Sequence, residues 1–136
     1  MKQSVQERRD AGRAARARLP RAALADVHIT ADRPDPVALL QSQATSRIAD
    51  LVPIRYGRML TSALAFYRGA ALIMASDLAA GPHTGLTAQL CGDAHLCNFG
   101  LFGSPERNLV FDVNDFDETL PGPWEWDVKR LVASLA

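Results

Sequence analysis

Residues 91–98 read Cys-Gly-Asp-Ala-His-Leu-Cys-Asn, and residues 109–118 read Leu-Val-Phe-Asp-Val-Asn-Asp-Phe-Asp-Glu. The first stretch sets a carboxylate (Asp93), a histidine (His95) and an amide (Asn98) within six residues. The second follows an apolar run with Asp112, Asp115, Asp117 and Glu118. Hard cations such as Mg2+ take oxygen ligands, usually one or two carboxylates together with substrate phosphates. Asn98 and Asp115 offer an amide oxygen and a carboxylate of that kind. Asp93, at the start of the loop, is placed to accept a proton from a substrate hydroxyl. Gly92 and Gly100 permit a tight backbone on either side.

The fold is read outward from this loop. The short apolar run Leu86 to Leu90 predicts a strand leading into it, and Asn98 to Phe102 predicts a second strand leading out. Gly103-Ser104-Pro105-Glu106 predicts a turn, and Arg107 to Val113 a third strand. The three read as a β-meander. Apolar residues at Trp124, Val128, Leu131, Val132 and Leu135 then recur at helical spacing, predicting a closing helix with one buried face. Upstream, Gly81-Pro82-His83-Thr84-Gly85 reads as a linker, and the chain before it reads as helical. Residues 3–19 are rich in good helix formers but carry a thin apolar face. Residues 30–36 form a turn, a helix runs from about Pro36 to Asp50 until Pro53 breaks it, and Met59 to Ala80 is helical with a kink or strand around Phe66 to Gly69. The expected class is α+β, with a helical N-terminal half, a short antiparallel meander carrying the loop, and a final helix. Residues 1–24 read as a basic helical or disordered arm and 25–136 as the domain.

Composition sets outer limits. At 136 residues and 48% hydrophobic content the chain suits one small domain with a core. Net charge is zero, so no global field points to nucleic acid or a membrane surface. The charge is uneven, with Lys2, Arg8, Arg9, Arg13, Arg16, Arg18 and Arg21 against Glu7 and Asp10 in the first 21 residues. No aromatic residue interleaves with those arginines, so a solvated helix is preferred to a nucleic-acid arm. No apolar stretch reaches the ~18 residues of a membrane span, and no signal peptide is visible. The two cysteines, Cys91 and Cys97, make no disulfide framework, and a reducing cytoplasm is the expected compartment. The closing helix runs to the last residue without a stop signal and with an apolar face to cover, so the chain reads as the N-terminal fragment of a longer protein.

Gly92-Asp93-Ala94-His95-Leu96-Cys97-Asn98 resembles the catalytic loop of aminoglycoside phosphotransferases and related protein-kinase-like enzymes. Val113-Asn114-Asp115-Phe116-Asp117 resembles their metal-binding strand end, and Asp127-Val128-Lys129-Arg130-Leu131 a later segment whose aspartate braces the loop. A closer similarity is to a bacterial family, domain of unknown function 2252. It is carried by Arg55-Tyr56-Gly57-Arg58-Met59, Phe66-Tyr67-Arg68-Gly69, Cys91 to Gly100, and the long block Asn114 to Asp127. This resemblance spans about residues 25–136, and the family's longer members agree with a truncated chain.

The resemblance implies an ATP- and Mg2+-dependent phosphotransferase acting on a hydroxyl-bearing small molecule. Asp93 would be the base, Asn98 and Asp115 metal ligands, and Asp117 and Glu118 further metal or substrate contacts. His95 would orient the loop, and Asp127 would brace it. Three departures matter. Cys91 stands where the phosphotransferase motif has its first histidine. The stretch between Asn98 and Asp115 is longer than the pattern, leaving Asp112 and Asp115 as alternatives for the metal. There is neither a glycine-rich phosphate loop nor an early lysine, since Lys2 and Lys129 are the only two. Arg58 or Arg68 is the candidate substitute cation, the plainer reading being an ion pair to the acidic cluster. The alternatives are a non-catalytic nucleotide- or metal-binding module, or an inactive fragment. Zinc on Cys91, His95, Cys97 and His83 fits poorly, because a single C-x5-C spacing without a second cysteine pair is not a zinc pattern. A nucleophilic Cys97 served by His95 is also disfavoured, because residues two apart do not readily face each other.

Overall fold

The structure is a computed structural model that describes residues 3–136. Lys2, one of the expected basic groups, lies outside the described residues. Helix α1 covers Val5–Arg18, α2 Pro36–Ala44, α3 Val52–Met59, α4 Ala63–Gly69 and α5 Ala71–Ala79. Strands β1 Thr87–Leu90, β2 Phe99–Gly103, β3 Leu109–Val113 and β4 Leu120–Pro123 follow, and α6 Glu125–Ala133 closes the chain. The expected mixture of helix and antiparallel sheet is what the protein adopts.

Local chemistry explains the helix boundaries. Ser4 and Glu7 form a reciprocal capping box that starts α1. Asp35 accepts from the Val37 and Ala38 amides at the start of α2, with Pro36 in its first turn. Helix α2 stops at Ala44, six residues short of the expected end. The Ser42, Thr45 and Ser46 hydroxyls each bond a carbonyl three residues back and compete with continued helical pairing. Pro53 begins a helix rather than only ending one, sitting in the first turn of α3, where its missing N–H costs nothing. The expected 59–80 helix is broken twice: Met59 ends α3, residues 60–62 separate it from α4, and Ala70 separates α4 from α5, just after the Phe66-to-Gly69 region of the expected kink or strand.

The strands form two separate two-stranded ribbons rather than a continuous meander. β2 and β3 make a hairpin in which Phe99 opposes Val113 and Gly103 opposes Leu109. That hairpin is inserted between β1 and β4, which pair antiparallel with Thr87 opposite Pro123 and Leu90 opposite Leu120. β4, whose four residues are Leu-Pro-Gly-Pro, escapes sequence reading because prolines demote a strand. It is tolerated here in a ribbon of only two strands. A Cβ on Gly122 would meet the Leu90 side chain at 2.7 Å, so the ribbon closes on a residue without a side chain.

Packing joins these pieces through few large apolar side chains. The buried apolar set is Ala15, Leu19, Met59, Ala70, Ala71, Ile73, Leu90, Cys91 and Ala94. Met59 of α3 lies against Gly69 of α4, where a Cβ would meet its sulfur at 2.6 Å. Polar ties do much of the rest. Arg33 grips Asp77 of α5 with two bonds of 2.6 and 2.7 Å. The Tyr56 hydroxyl donates to the Leu40 carbonyl at 3.2 Å, joining α3 to α2. Arg18 of α1 donates to the Thr84 carbonyl at 2.7 Å. Buried Glu125 accepts from the Thr84 amide, and the Trp124 indole donates to the Thr84 hydroxyl at 3.1 Å, pinning the linker to the start of α6.

Candidate functional site

The loop between β1 and β2 is fixed from three sides. Gly92 has φ +83, and a Cβ there would lie 2.0 Å from the Glu118 carbonyl oxygen, so glycine is required both for conformation and for space. Asp127, in the first turn of α6, accepts from the Cys91 amide at 2.7 Å and the Gly92 amide at 3.1 Å. Both loop amides thus find a carboxylate where no strand partner exists.

Buried Asn98 clamps the far end. Its amide nitrogen donates to the Asp115 carbonyl at 2.7 Å and the Asp93 carbonyl at 3.0 Å, while its Oδ1 accepts from the Asp115 amide at 2.9 Å. The Asn98 carbonyl accepts from the Asn114 amide at 2.9 Å. One side chain therefore staples the loop to the end of β3.

Asp93 is held by a residue that sequence reasoning did not single out. The buried Arg130 guanidinium of α6 donates through Nε to Asp93 Oδ1 at 2.7 Å and forms an ion pair with it. Arg130 is itself set by Tyr67 of α4, bonding the Tyr67 carbonyl at 2.8 Å and lying 4.4 Å from the ring centroid. The Tyr67 hydroxyl returns a bond to the Arg130 carbonyl at 2.7 Å. A hint was present in the sequence, since Phe66-Tyr67-Arg68-Gly69 and Asp127-Val128-Lys129-Arg130 both stand in its distinctive segments. Nothing local says that they touch. His95 Nε2 lies 3.5 Å from Asp93 Oδ2, and His95 Nδ1 is buried without a partner. Burial pushes the His95 imidazole below the usual histidine range. Arg68 and Arg130 push the same way, against Asp93. Burial likewise raises the Cys91 thiol, whose sulfur faces the Asp115 carbonyl.

A cleft of about 1010 Å³ opens in front of the loop. Asp93, His95, Cys97, Asn98, Asn114 and Asp115 form one wall. The other comes from α3, α4 and the segment before them, and carries Arg47, Arg55, Arg58 and Arg68. Six of the expected site residues therefore meet in one place: Asp93, His95, Asn98, Asp115, Arg58 and Arg68. Asp117 and Asp127 lie outside the lining. Asp127 supports the loop from behind, and the Asp117 amide donates to Asp115 Oδ1 at 3.1 Å on an exposed turn. Asp112 points its carboxylate to the Val113 amide and does not line the cleft. Lys129 borders a different, apolar groove of about 450 Å³ between residues 24–29, α5 and α6.

Residues 47–136 match the model of a family described as uncharacterized protein conserved in bacteria (DUF2252). The chain belongs to the DUF2252 family. The match starts at Arg47, so α1 and α2 precede it, and it takes in every residue of the cleft lining except Ser46. No curated protein and no solved structure matches this DUF2252 chain. No helix among its described residues is long and apolar enough to cross a membrane.

The donor set of the DUF2252 cleft is a sparse one for a divalent cation. Among the described residues no three His, Cys, Asp or Glu side chains converge as a cation cage. Asn98 Oδ1 already accepts one bond, and Asp115 Oδ1 accepts another, which leaves Asp115 Oδ2 and one lone pair on Asn98. That set fits a cation held chiefly by substrate phosphates, as Mg2+ often is, and does not fit a closed site made by protein alone.

Proposed function

We propose that the cleft is the site of a kinase-like phosphotransferase, using ATP with Mg2+ and passing a phosphoryl group to a hydroxyl on a small molecule. The observation that carries this reading is the shared cleft. A carboxylate, a histidine, an amide and a second carboxylate stand on one wall, and Arg58 and Arg68 face them. Phosphoryl transfer asks the protein for little bond chemistry and much positioning and charge neutralisation. A bound divalent cation would neutralise phosphate charge beside Asp115 and Asn98. In the step itself the acceptor oxygen bonds to the terminal phosphorus, the bond to the ADP oxygen breaks, and the acceptor proton passes to the Asp93 carboxylate. Arg130 and Tyr67 orient that carboxylate, and Arg58 and Arg68 present fixed positive charge to phosphate oxygens.

Calorimetry of Mg·ATP binding with an ADP-release assay tests the reading. Asp115→Asn is expected to abolish Mg2+-dependent nucleotide affinity, and Asp93→Ala to retain affinity while stopping turnover. Unchanged Mg·ATP affinity in the first variant sinks the assignment of Asp115, and normal turnover in the second removes Asp93 as the base. One observation favours a second reading, a binding module without catalysis: Asp93 is already paired to a buried arginine. ATP affinity without ADP release across a broad panel of hydroxyl acceptors supports that alternative.

A further inference from the structure

We infer that Arg47, Arg55, Arg58 and Arg68 together form a binding site for a chain of linked phosphoryl groups, and that this site works without a metal ion. The inference rests on the phosphate-binding half of the reading above and extends it to Arg47 and Arg55. All four guanidinium-bearing side chains line the same cleft. Arg55 and Arg58 are one turn apart on α3 and so share a face. Arg68 comes from the last turn of α4, and Arg47 from just after α2. Among the described residues none of the four makes an ion pair. The arginine ion pairs are Arg13 with Asp10, Arg33 with Asp77 and Arg130 with Asp93.

Four unpaired guanidiniums in one cleft repel one another. At Arg55, burial and then the charge of Arg47 push the pKa down, against Glu118 and Asp93, which push it up. The one hydrogen bond of its guanidinium among the described residues goes to a neutral carbonyl, that of Gly69 at 2.7 Å, which offsets no charge. The facing wall balances the arginines only in part, with two carboxylates against four guanidiniums. Asp93 is spoken for by Arg130, so Asp115 alone remains as an uncommitted negative charge in the lining. A ligand bearing several negative charges turns this repulsion into attraction, and the planar guanidinium fork matches phosphate oxygens two at a time. A cleft of about 1010 Å³ has room for a ligand much larger than a single phosphate. Two sources share this chemistry, a nucleoside triphosphate and a linear inorganic polyphosphate.

The probe is inorganic tripolyphosphate, titrated into the whole chain by calorimetry in EDTA, with orthophosphate, ATP and AMP in parallel. Tripolyphosphate is expected to bind at least about tenfold more tightly than orthophosphate. Arg47→Gln and Arg58→Gln are each expected to weaken it by about tenfold, the scale of one charge-assisted bond. Both positions are exposed, so circular dichroism should show intact folding. The double change Arg8→Gln/Arg9→Gln on α1 should leave affinity unchanged. Tighter ATP than tripolyphosphate supports the nucleoside source, and equal or weaker ATP supports the inorganic one. Affinity no better than for orthophosphate overturns the inference, and so does a loss that follows the α1 variant instead of the cleft variants. Asp115→Asn separates the two proposals, because it should end Mg2+-dependent turnover and leave metal-free tripolyphosphate affinity intact. Tight tripolyphosphate binding in a chain that never releases ADP refutes transfer while upholding the site.

Discussion

At the scale of single residues, the loop is fixed by buried polar side chains, and Asn98 and Arg130 each have partners there. His95 departs from this, with Nδ1 buried and unpartnered and only 5% of the residue exposed. A histidine kept neutral by burial links folding to pH with a definite sign. Its folded pKa lies below the unfolded value of about 6.5, so below that pH the unfolded chain binds a proton that the folded one refuses. Stability is therefore unaffected by this group above about pH 6.5. It declines as pH falls from there towards the folded pKa, below which the loss levels off. Urea unfolding from pH 7.5 to 5.5 is expected to show a falling midpoint before carboxylates begin to titrate. His95→Gln, which has no proton to take up, should flatten that decline whatever it does to the midpoint at pH 7.5. An equal slope in the two proteins would exclude His95 as its source.

At the scale of elements, α6 carries the weight of the site through three residues, two in its first turn and one in its last. Glu125 pins the linker, Asp127 holds two loop amides, and Arg130 holds Asp93. Asp127 and Glu125 also place negative charge in the first helical turn, where the helix dipole favours it. Asp127→Asn keeps the shape but turns one oxygen into a donor facing a donor, so one of the Cys91 and Gly92 amides loses its acceptor. The expected cost is about 1–3 kcal/mol. Hydrogen exchange is the sharper readout: the amides of Cys91 and Gly92 should exchange much faster than those of α5. Unchanged protection at both would show that Asp127 does not hold the loop. How far the elements were legible follows from the same physics. Helix α6 and strands β1 to β3 have local signals, apolar spacing and a turn, and sequence reading placed them within a few residues. Strand β4 has none, because its pairing is decided by a partner some 30 residues away. The loop wall of the cleft was legible in the sequence, and the opposite wall only at Arg58 and Arg68. The loop wall comes from short local motifs, whereas Arg47 and Arg55 join the lining only when α3 and α4 fold against that loop, and Arg130 meets Asp93 only through α6.

At the scale of the whole molecule, the polar ties sit on an unusually thin apolar core. The chain exposes 9683 Å² for a mass of 14.8 kDa. A compact monomer of that mass exposes about 7,000 Å², and its unfolded chain about 21,500 Å². Only about 55% of the unfolded surface is therefore buried, against roughly 68–70% for a domain of this size. Large apolar side chains remain outside, among them Val27, Ile48, Leu60, Leu101, Leu109 and Phe111. The β2–β3 hairpin illustrates the point: Phe99 and Phe111 stack at 6.2 Å, yet Phe111 is 68% exposed. Two-stranded ribbons are marginal without cover, and both sheets here have only two strands. Since the urea m-value scales with the surface released on unfolding, it should fall about a fifth below that of a compact chain of equal length. Unfolding free energy should lie below about 5 kcal/mol at neutral pH, the lower edge of the range for native domains. Both quantities come from one urea titration followed by circular dichroism, repeated at two protein concentrations to separate folding from association. A free energy near 10 kcal/mol with an ordinary m-value, independent of concentration, would show that the thin apolar core does not limit stability, and that polar ties such as Arg130–Asp93 and Arg33–Asp77 compensate for it.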